Sequence, residues 1–350
     1  MLAVTIRAHG GPEQVQIDDV PRPPDPGPRD VVVALKAAAL NHLDVHVVRG
    51  LPGVPPSFPH VMGADGAGVV EAVGTEVTGV KPGDRVVVNP GVSCGTCDYC
   101  AAGEHSLCTT FRLLGEHLPG TFAEAITLPA VNVEPIPAHV PWTEAAAFPL
   151  TFVTAWRMLV TRAALRPGET VLIWGIGGGV ALAALAIAKQ RGARVVVTSS
   201  SDAKLERARA LGADHTLNHA ATDVSREVRA LTGRRGAEVV VETTGAATWD
   251  HSLRALARGG RLVTCGATTG PDVGLDVRRV FWHQFSILGS TMGNRAEFRE
   301  VVGLLASGAL HPEVDRVMPV REARAAFERM ASGRQFGKLV LDIAAQAAGS

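Results

Sequence analysis

The sequence predicts an α/β chain built from a compact β domain and a doubly wound parallel sheet. Three observations predict it. The first third carries short Val-rich runs separated by Gly and Pro. The middle alternates apolar strand-like runs with helical ones around a glycine-rich turn. The texture changes near residues 150 and 290.

In chain order, Asp30–Leu35, Gly68–Val73 and Asp84–Val88 read as strands of the β domain. A Cys-rich, loop-like insert follows, from about Asn89 to Phe122. Ala145, Phe148, Phe152, Trp156 and Leu159 then recur at helical spacing and predict a helix that leads into a second domain. From Glu169 the order is strand (Val171–Trp174), glycine turn (Gly175–Gly179), Ala-rich helix (Val180–Gln190) and strand (Arg194–Thr198), continued by Ala237–Val241 and Arg261–Cys265. Strands alternating with helices imply a parallel sheet wound in both directions. Beyond Gly289 come a helix, Ala296–Ser307, and a late strand, Lys338–Ile343.

The chain has 350 residues, 46% hydrophobic and 19% charged, which suits a globular protein of two domains. Lys plus Arg and Asp plus Glu both total 34, so there is no overall charge to attract nucleic acid or an acidic membrane. The opening residues lack a basic leader followed by a long apolar run, and the most apolar helix, near Val180 to Ala188, is too short to span a bilayer. The expected location is the cytoplasm. Cysteines clustered in a leaderless chain point to metal rather than to disulfides.

Cys94-x2-Cys97-x2-Cys100-x7-Cys108, with Gly95 and Gly103 to fold the loop, is the most specific pattern. Four thiolates make a closed tetrahedral zinc site, which holds structure and leaves no position open for chemistry. An iron–sulfur cluster is the alternative, but no proline follows the last cysteine and there is no second cluster. Cys265, at a strand end, reads as a buried inert thiol.

Gly175, Gly177, Gly178, Gly179 and Val180 sit between a strand and a helix, as a dinucleotide fingerprint requires. The glycines allow the tight turn and the approach of a pyrophosphate to the helix N-terminus. At the tip of the next strand, an NAD site wants a carboxylate for the ribose hydroxyls. Here the tip reads Ser199-Ser200, with Lys204 close behind and Arg207 one helical turn further on. Hydroxyls and a lysine accept the 2′-phosphate of NADPH, and NADH suits the site less well. The serines also suit a helix cap, and Asp202 becomes a ribose ligand if the strand ends later.

These motifs, in this order, resemble the medium-chain dehydrogenase/reductase superfamily, and most closely its zinc-binding quinone oxidoreductase-like members. The resemblance spans the chain: Gly63-Ala64-Asp65-Gly66-Ala67-Gly68, Val80-Lys81-Pro82-Gly83-Asp84-Arg85-Val86, the cysteine lobe, the glycine turn and Phe336-Gly337-Lys338-Leu339-Val340. It implies a GroES-like β-barrel catalytic domain, 1–150 and 289–350, with its zinc lobe at about 89–122, and an inserted Rossmann domain, 151–288. It also implies a homodimer or homotetramer.

The family's alcohol dehydrogenases hold a catalytic zinc with Cys, His and Cys. Those positions fall here on Asn41, Ala64 and near Leu150, and the hydroxyl that relays the alcohol proton falls on Leu43. Zinc-free relatives reduce quinones or carbon–carbon double bonds conjugated to a carbonyl. Such acceptors take hydride at the β carbon, and hydrogen-bond donors stabilise the resulting enolate without a metal. The expected function is therefore an NADPH-dependent reductase acting on a small hydrophobic carbonyl substrate, with one structural zinc per subunit.

By resemblance Thr154 lies against the nicotinamide and Asn41 sits in the emptied metal position. His42, Asp44 and His46 follow, with either histidine a candidate proton donor and Asp44 an orienting group. Lys338 either touches the cofactor phosphates or is a plain exposed lysine. A metal site rebuilt from His42, His46, His60 and Asp65 would instead make the chain a zinc alcohol dehydrogenase with nonstandard ligands. A non-catalytic NADPH-binding protein is the third reading. The loops Asn41 to Phe58 and Phe111 to Phe122 are expected to line the substrate pocket. Arg226, Arg229, Arg234 and Arg235 are expected to be solvated, and Phe281-Trp282-His283 to pack against a neighbour.

Overall fold

In the computed structural model, which describes residues 1–51 and 57–344, the chain divides into two compact units. One is Met1–Leu150 with Gly293–Ser350, and the other is Thr151–Met292.

The second unit is a six-stranded parallel sheet. Its strands are β1 (Thr170–Ile173), β2 (Arg194–Ser199), β3 (His215–Asn218), β4 (Ala237–Glu242), β5 (Leu256–Thr264) and β6 (Ser286–Gly289). Their spatial order is β3-β2-β1-β4-β5-β6, so the chain starts in the middle and winds outward both ways. Strands covered on both faces need apolar side chains at odd and even positions alike, and the buried valine runs at 195–197 and 239–241 supply them. Leu172, Val196, Val240 and Leu262 pack with Val224, Val228 and Leu253 of two crossover helices. The Ala-rich helix Gly179–Gln190 packs on β1 and β2, its small side chains allowing close approach.

The first unit is mainly antiparallel. One sheet runs in the order Val133–Pro135, Arg85–Val88, Asp65–Val73, Asp30–Ala39, Lys338–Asp342, Val314–Pro319, and Ala125–Pro129 also pairs with Asp30–Ala39. Chain ends meet here, with Val340 opposite Ala39 and Asp342 opposite Ala37. Ala39 also stands opposite Asp65. Residue 41, residue 65 and residue 338 thus lie at one end of three neighbouring strands.

Two expected elements differ. The helix expected through Leu159 is divided into Trp142–Ala147, Pro149–Trp156 and a wider π turn over Arg157–Arg162. Pro149 has no N–H to continue the first helix, so it begins the second. The segment after Asn41, expected as loop, is the helix His42–Arg49. Asp44 stabilises its start by accepting the Asn41 backbone N–H at 2.7 Å. Part of the expected pocket-lining stretch, 52–56, lies outside the described residues. No described helix is long and apolar enough to cross a membrane.

Candidate active site

Asn41, Asp65 and Lys338 form a closed triangle of hydrogen bonds. Lys338 Nζ donates to Asn41 Oδ1 at 2.5 Å and to Asp65 Oδ2 at 2.9 Å. Asn41 Nδ2 donates to Asp65 Oδ2 at 2.9 Å. The second carboxylate oxygen of Asp65 accepts the Leu150 N–H at 2.9 Å, an N–H that the first turn of a helix leaves free. Lys338 is 3% exposed and Asp65 is fully buried. A buried ammonium costs heavily unless paired, and this one faces its carboxylate directly. The reading of Lys338 as an exposed lysine is therefore corrected. Its charge is engaged inside its own unit.

Asp44, also buried, lies beside this triangle, and burial pushes its carboxyl up to about 7 despite the Asn41 N–H and the Lys338 charge. His42 and His46 stand one turn apart on the same helix, ring centroids 5.8 Å apart. Burial first, then neighbouring charge, lowers both below the ordinary histidine value, so both favour the neutral form, a weak proton donor. His60 Nε2 pairs with the Gly115 carbonyl at 3.0 Å. His42, His46, His60 and Asp65 do not converge on a common point. Among the described residues, the cysteine cluster alone brings three or more potential metal ligands together.

That cluster is Cys94, Cys97, Cys100 and Cys108, whose Sγ atoms all lie within 4.8 Å of one another. Cys94 Sγ is 3.9 Å from Cys100 Sγ and 3.5 Å from Cys108 Sγ. Sulfurs about 2.3 Å from a shared tetrahedral zinc stand roughly 3.8 Å apart, so the donor set fits that ion. The backbone N–H groups of Thr96 and Cys97 point at Cys94 Sγ and hold its thiol down at about 5. Burial pushes Cys100 up to about 11, so a cation would be needed to hold it as a thiolate. Cys265 is pushed up to about 12 by burial and the Glu242 carboxylate.

In the second unit, Gly175 and Gly177 have φ of +67° and +112°, which only glycine adopts at low cost. The Gly175 N–H donates to Thr198 Oγ1 at 3.3 Å, and the Ile176 N–H to the Thr198 carbonyl at 2.8 Å, tying the turn to β2. Gly178 caps the helix that begins at Gly179 and Val180. A methyl group at Gly177 would stand 3.3 Å from Lys204 Nζ, so that ammonium lies over the turn. Strand β2 ends at Ser199, whose Oγ accepts the Ser201 N–H at 3.1 Å, and Ser200 follows. Ser201 caps the next helix. Asp202 lies beyond the strand tip and its Oδ1 accepts from Asn218 Nδ2 at 2.7 Å. Thr154 is buried, its hydroxyl 3.7 Å from Met292 Sδ.

The triangle escaped sequence reasoning because its partners stand 273 and 297 positions apart. A trace was present. An acidic residue kept in Gly63-Ala64-Asp65 and a cation in Gly337-Lys338 are two opposite charges, each set within an otherwise apolar or glycine-rich stretch.

Residues 27–138 match the family model described as alcohol dehydrogenase GroES-like domain, and residues 179–307 that described as zinc-binding dehydrogenase. A zinc-type alcohol dehydrogenase-like protein of Schizosaccharomyces pombe is 34% identical over 340 residues, 95% of this chain and 96% of that one. A crystal structure of an NAD-dependent alcohol dehydrogenase is 48% identical, with a TM-score of 0.93 over 98% of this chain and all of that one. A crotonyl-CoA carboxylase/reductase solved in complex with NADP is 27% identical, with a TM-score of 0.91 over 98% of this chain and 95% of that one.

Proposed function

The chain belongs to the medium-chain dehydrogenase/reductase superfamily of oxidoreductases, and within it we propose an NADPH-dependent reductase of an activated carbon–carbon double bond or a quinone, working without a catalytic metal. One observation carries this reading. By resemblance, the positions where the zinc enzymes place Cys, His and Cys fall here on Asn41, Ala64 and near Leu150, and Asn41 is bound into the triangle with Asp65 and Lys338. Ala and Leu offer a metal no donor atom. The Asp65 carboxylate is already matched to an ammonium.

Each unit carries part of the chemistry. Bound NADPH would supply the hydride. The glycine turn offers the backbone N–H groups at the start of helix Gly179–Gln190 to the pyrophosphate, with the Lys204 ammonium above. Ser199, Ser200 and Lys204 favour a 2′-phosphate, and the engagement of Asp202 with Asn218 leaves the strand tip without a free carboxylate. In the first unit, an ammonium has three N–H bonds and Lys338 spends two on Asn41 and Asp65. The third supplies the kind of fixed donor that stabilises a developing enolate oxygen, and Asn41, whose amide donates to Asp65 and to the Ala39 carbonyl, holds the ammonium in place. Asp44, with its carboxyl near 7, is a better proton reservoir than the neutral His42 and His46. Val277, Phe281 and Trp282, between 63% and 68% exposed in the single chain, support a homo-oligomer.

The names of the similar alcohol dehydrogenases favour a second reading, a zinc-dependent dehydrogenase using NAD. Zinc per subunit and NADPH oxidation against a panel of enones and quinones separate the two. One zinc with turnover is expected. Two zincs, or alcohol oxidation that a chelator abolishes, would overturn the proposal.

A further inference from the structure

The second unit holds a concavity unrelated to the glycine turn. It has a volume of about 670 Å³ and is lined by Arg226, Arg229, Arg234, Arg254, Arg279 and Ser225. Its place in the sheet is set by Arg229, whose Nε and Nη2 donate to the carbonyls of Arg254 and Leu256 at 2.9 and 3.1 Å. Leu256 opens β5 and pairs with Ala237, which opens β4. The strands are parallel, so this is the amino end of the sheet, and the glycine turn follows the carboxyl end of β1.

The charge in this concavity is poorly matched. Arg254 pairs with Asp250 at 2.6 Å, and Arg279 reaches the same carboxylate at 3.7 Å. Arg229 spends its donors on three backbone carbonyls, the third being that of Arg234 at 3.2 Å. Neither Arg226 nor Arg234 meets a carboxylate among the described residues. Asp223 is committed to Ser225 Oγ at 2.6 Å and to the Arg226 backbone N–H. Five arginines therefore line one hollow, and among the described residues Asp250 is the only carboxylate ion-paired with any of them, in a chain whose total charge is zero. The excess is a matter of placement, not of composition. His283 reports the same field, since after burial the charges of Arg258, Arg279 and Arg229 are what lower its proton affinity.

Helix-end arginines often serve only to satisfy carbonyls, and Arg229 does so. That role explains neither Arg226 nor Arg234, and it does not explain why all five line one hollow. The geometry points to a second anion site, for a small ligand carrying two or three linked phosphates, at the amino end of the nucleotide sheet. Guanidinium forks pair with phosphate oxygens two at a time, and several forks around one hollow suit several linked phosphates better than a lone carboxylate. The volume lies in the range of small-molecule sites, and a concave site suits a compact ligand better than a nucleic-acid strand.

The test is calorimetric titration of tripolyphosphate into the full-length protein saturated with NADPH, so that the glycine turn is already filled. It is repeated on Arg226→Glu/Arg234→Glu. These side chains hold no carboxylate, and Glu at position 226 follows the cap Asp223 at the place where a capping box wants it. Arg226→Ala/Arg234→Ala gives the same reading without charge reversal. One tripolyphosphate per chain is expected, with affinity falling about tenfold or more in either variant while NADPH affinity stays constant. Absent binding, or equal binding in all three proteins, would overturn the site. So would tighter binding of a single-stranded oligonucleotide at equal phosphate concentration, or weakened NADPH binding in the variants. If the NADPH reading itself fails, tripolyphosphate can also occupy the empty glycine turn, and the parent then binds two per chain while both variants bind one.

Discussion

Lys338 and Asp65 stabilise each other only as a pair, because each would be a lone charge in a dry site. Lys338→Met removes the ammonium and leaves the Asp65 carboxylate with only the Asn41 amide and the Leu150 N–H. Breaking a buried pair from one side costs about 3–5 kcal/mol. Urea unfolding of the variant should show a loss of that order, and adding Asp65→Asn should recover much of it. A loss unchanged in the double variant would mean that Lys338 acts through packing alone. Asp44 gives a separate signature. Its carboxyl stands near 7 in the native chain against 3.8 ordinarily. As pH rises through that interval, the unfolded chain releases the proton while the native chain keeps it, so this group subtracts stability across the window. Asp44→Asn cannot titrate. Melting curves taken from pH 5 to 7 should show the variant gaining on the parent as pH rises, and parallel curves would sink the assignment.

At the scale of elements, the glycine turn holds the sharpest constraint. Gly177→Ala would force a side chain into a φ of +112° and bring its methyl group to 3.0 Å from Lys204 Cδ. Strain of this kind is on the order of 1–3 kcal/mol, and the displaced lysine adds to it. NADPH affinity, followed by fluorescence titration, should fall roughly tenfold or more. An unchanged affinity would remove the turn from the cofactor site. This turn and the cysteine lobe were legible in the sequence because their parts are local: Cys94 to Cys108 form one loop, and Gly175 to Gly179 one connection. The strands of the nucleotide sheet were legible for the same reason, since a doubly buried strand writes its valines consecutively. Short-range pattern failed wherever a long-range partner decided the outcome. The sequence puts Asn41 in an emptied metal position, and only the return of strand Lys338–Asp342 beside Ala37–Ala39 shows what it faces. The arginines of the hollow come from three separate helices and the connections between them, so Arg226, Arg229 and Arg234 read as ordinary solvated surface and Arg254 and Arg279 drew no reading at all.

The whole molecule is one interrupted unit and one continuous one, and that asymmetry predicts opposite responses to cutting the chain. Thr151–Met292 contains every strand of its sheet, its own apolar core around Leu172, Val196, Val240 and Leu262, and the whole glycine turn. A fragment with these ends should fold alone and bind NADPH, as circular dichroism and titration can check. The first unit has no such independence of its tail. Strand Lys338–Asp342 lies inside its sheet, between Asp30–Ala39 and Val314–Pro319, and not at the edge. Ending the chain after Gly333 would strip both neighbours of their hydrogen-bond partner, expose Val33, Leu35 and the rest of that core, and leave Asp65 without its lysine. The truncated protein should therefore lose the first unit's cooperative unfolding and its protection of strand 30–39 from hydrogen exchange, while residues 151–292 stay protected. If strand 30–39 kept its protection, the closing strand would be dispensable, and the buried triangle could not be what ties the two ends of the chain together.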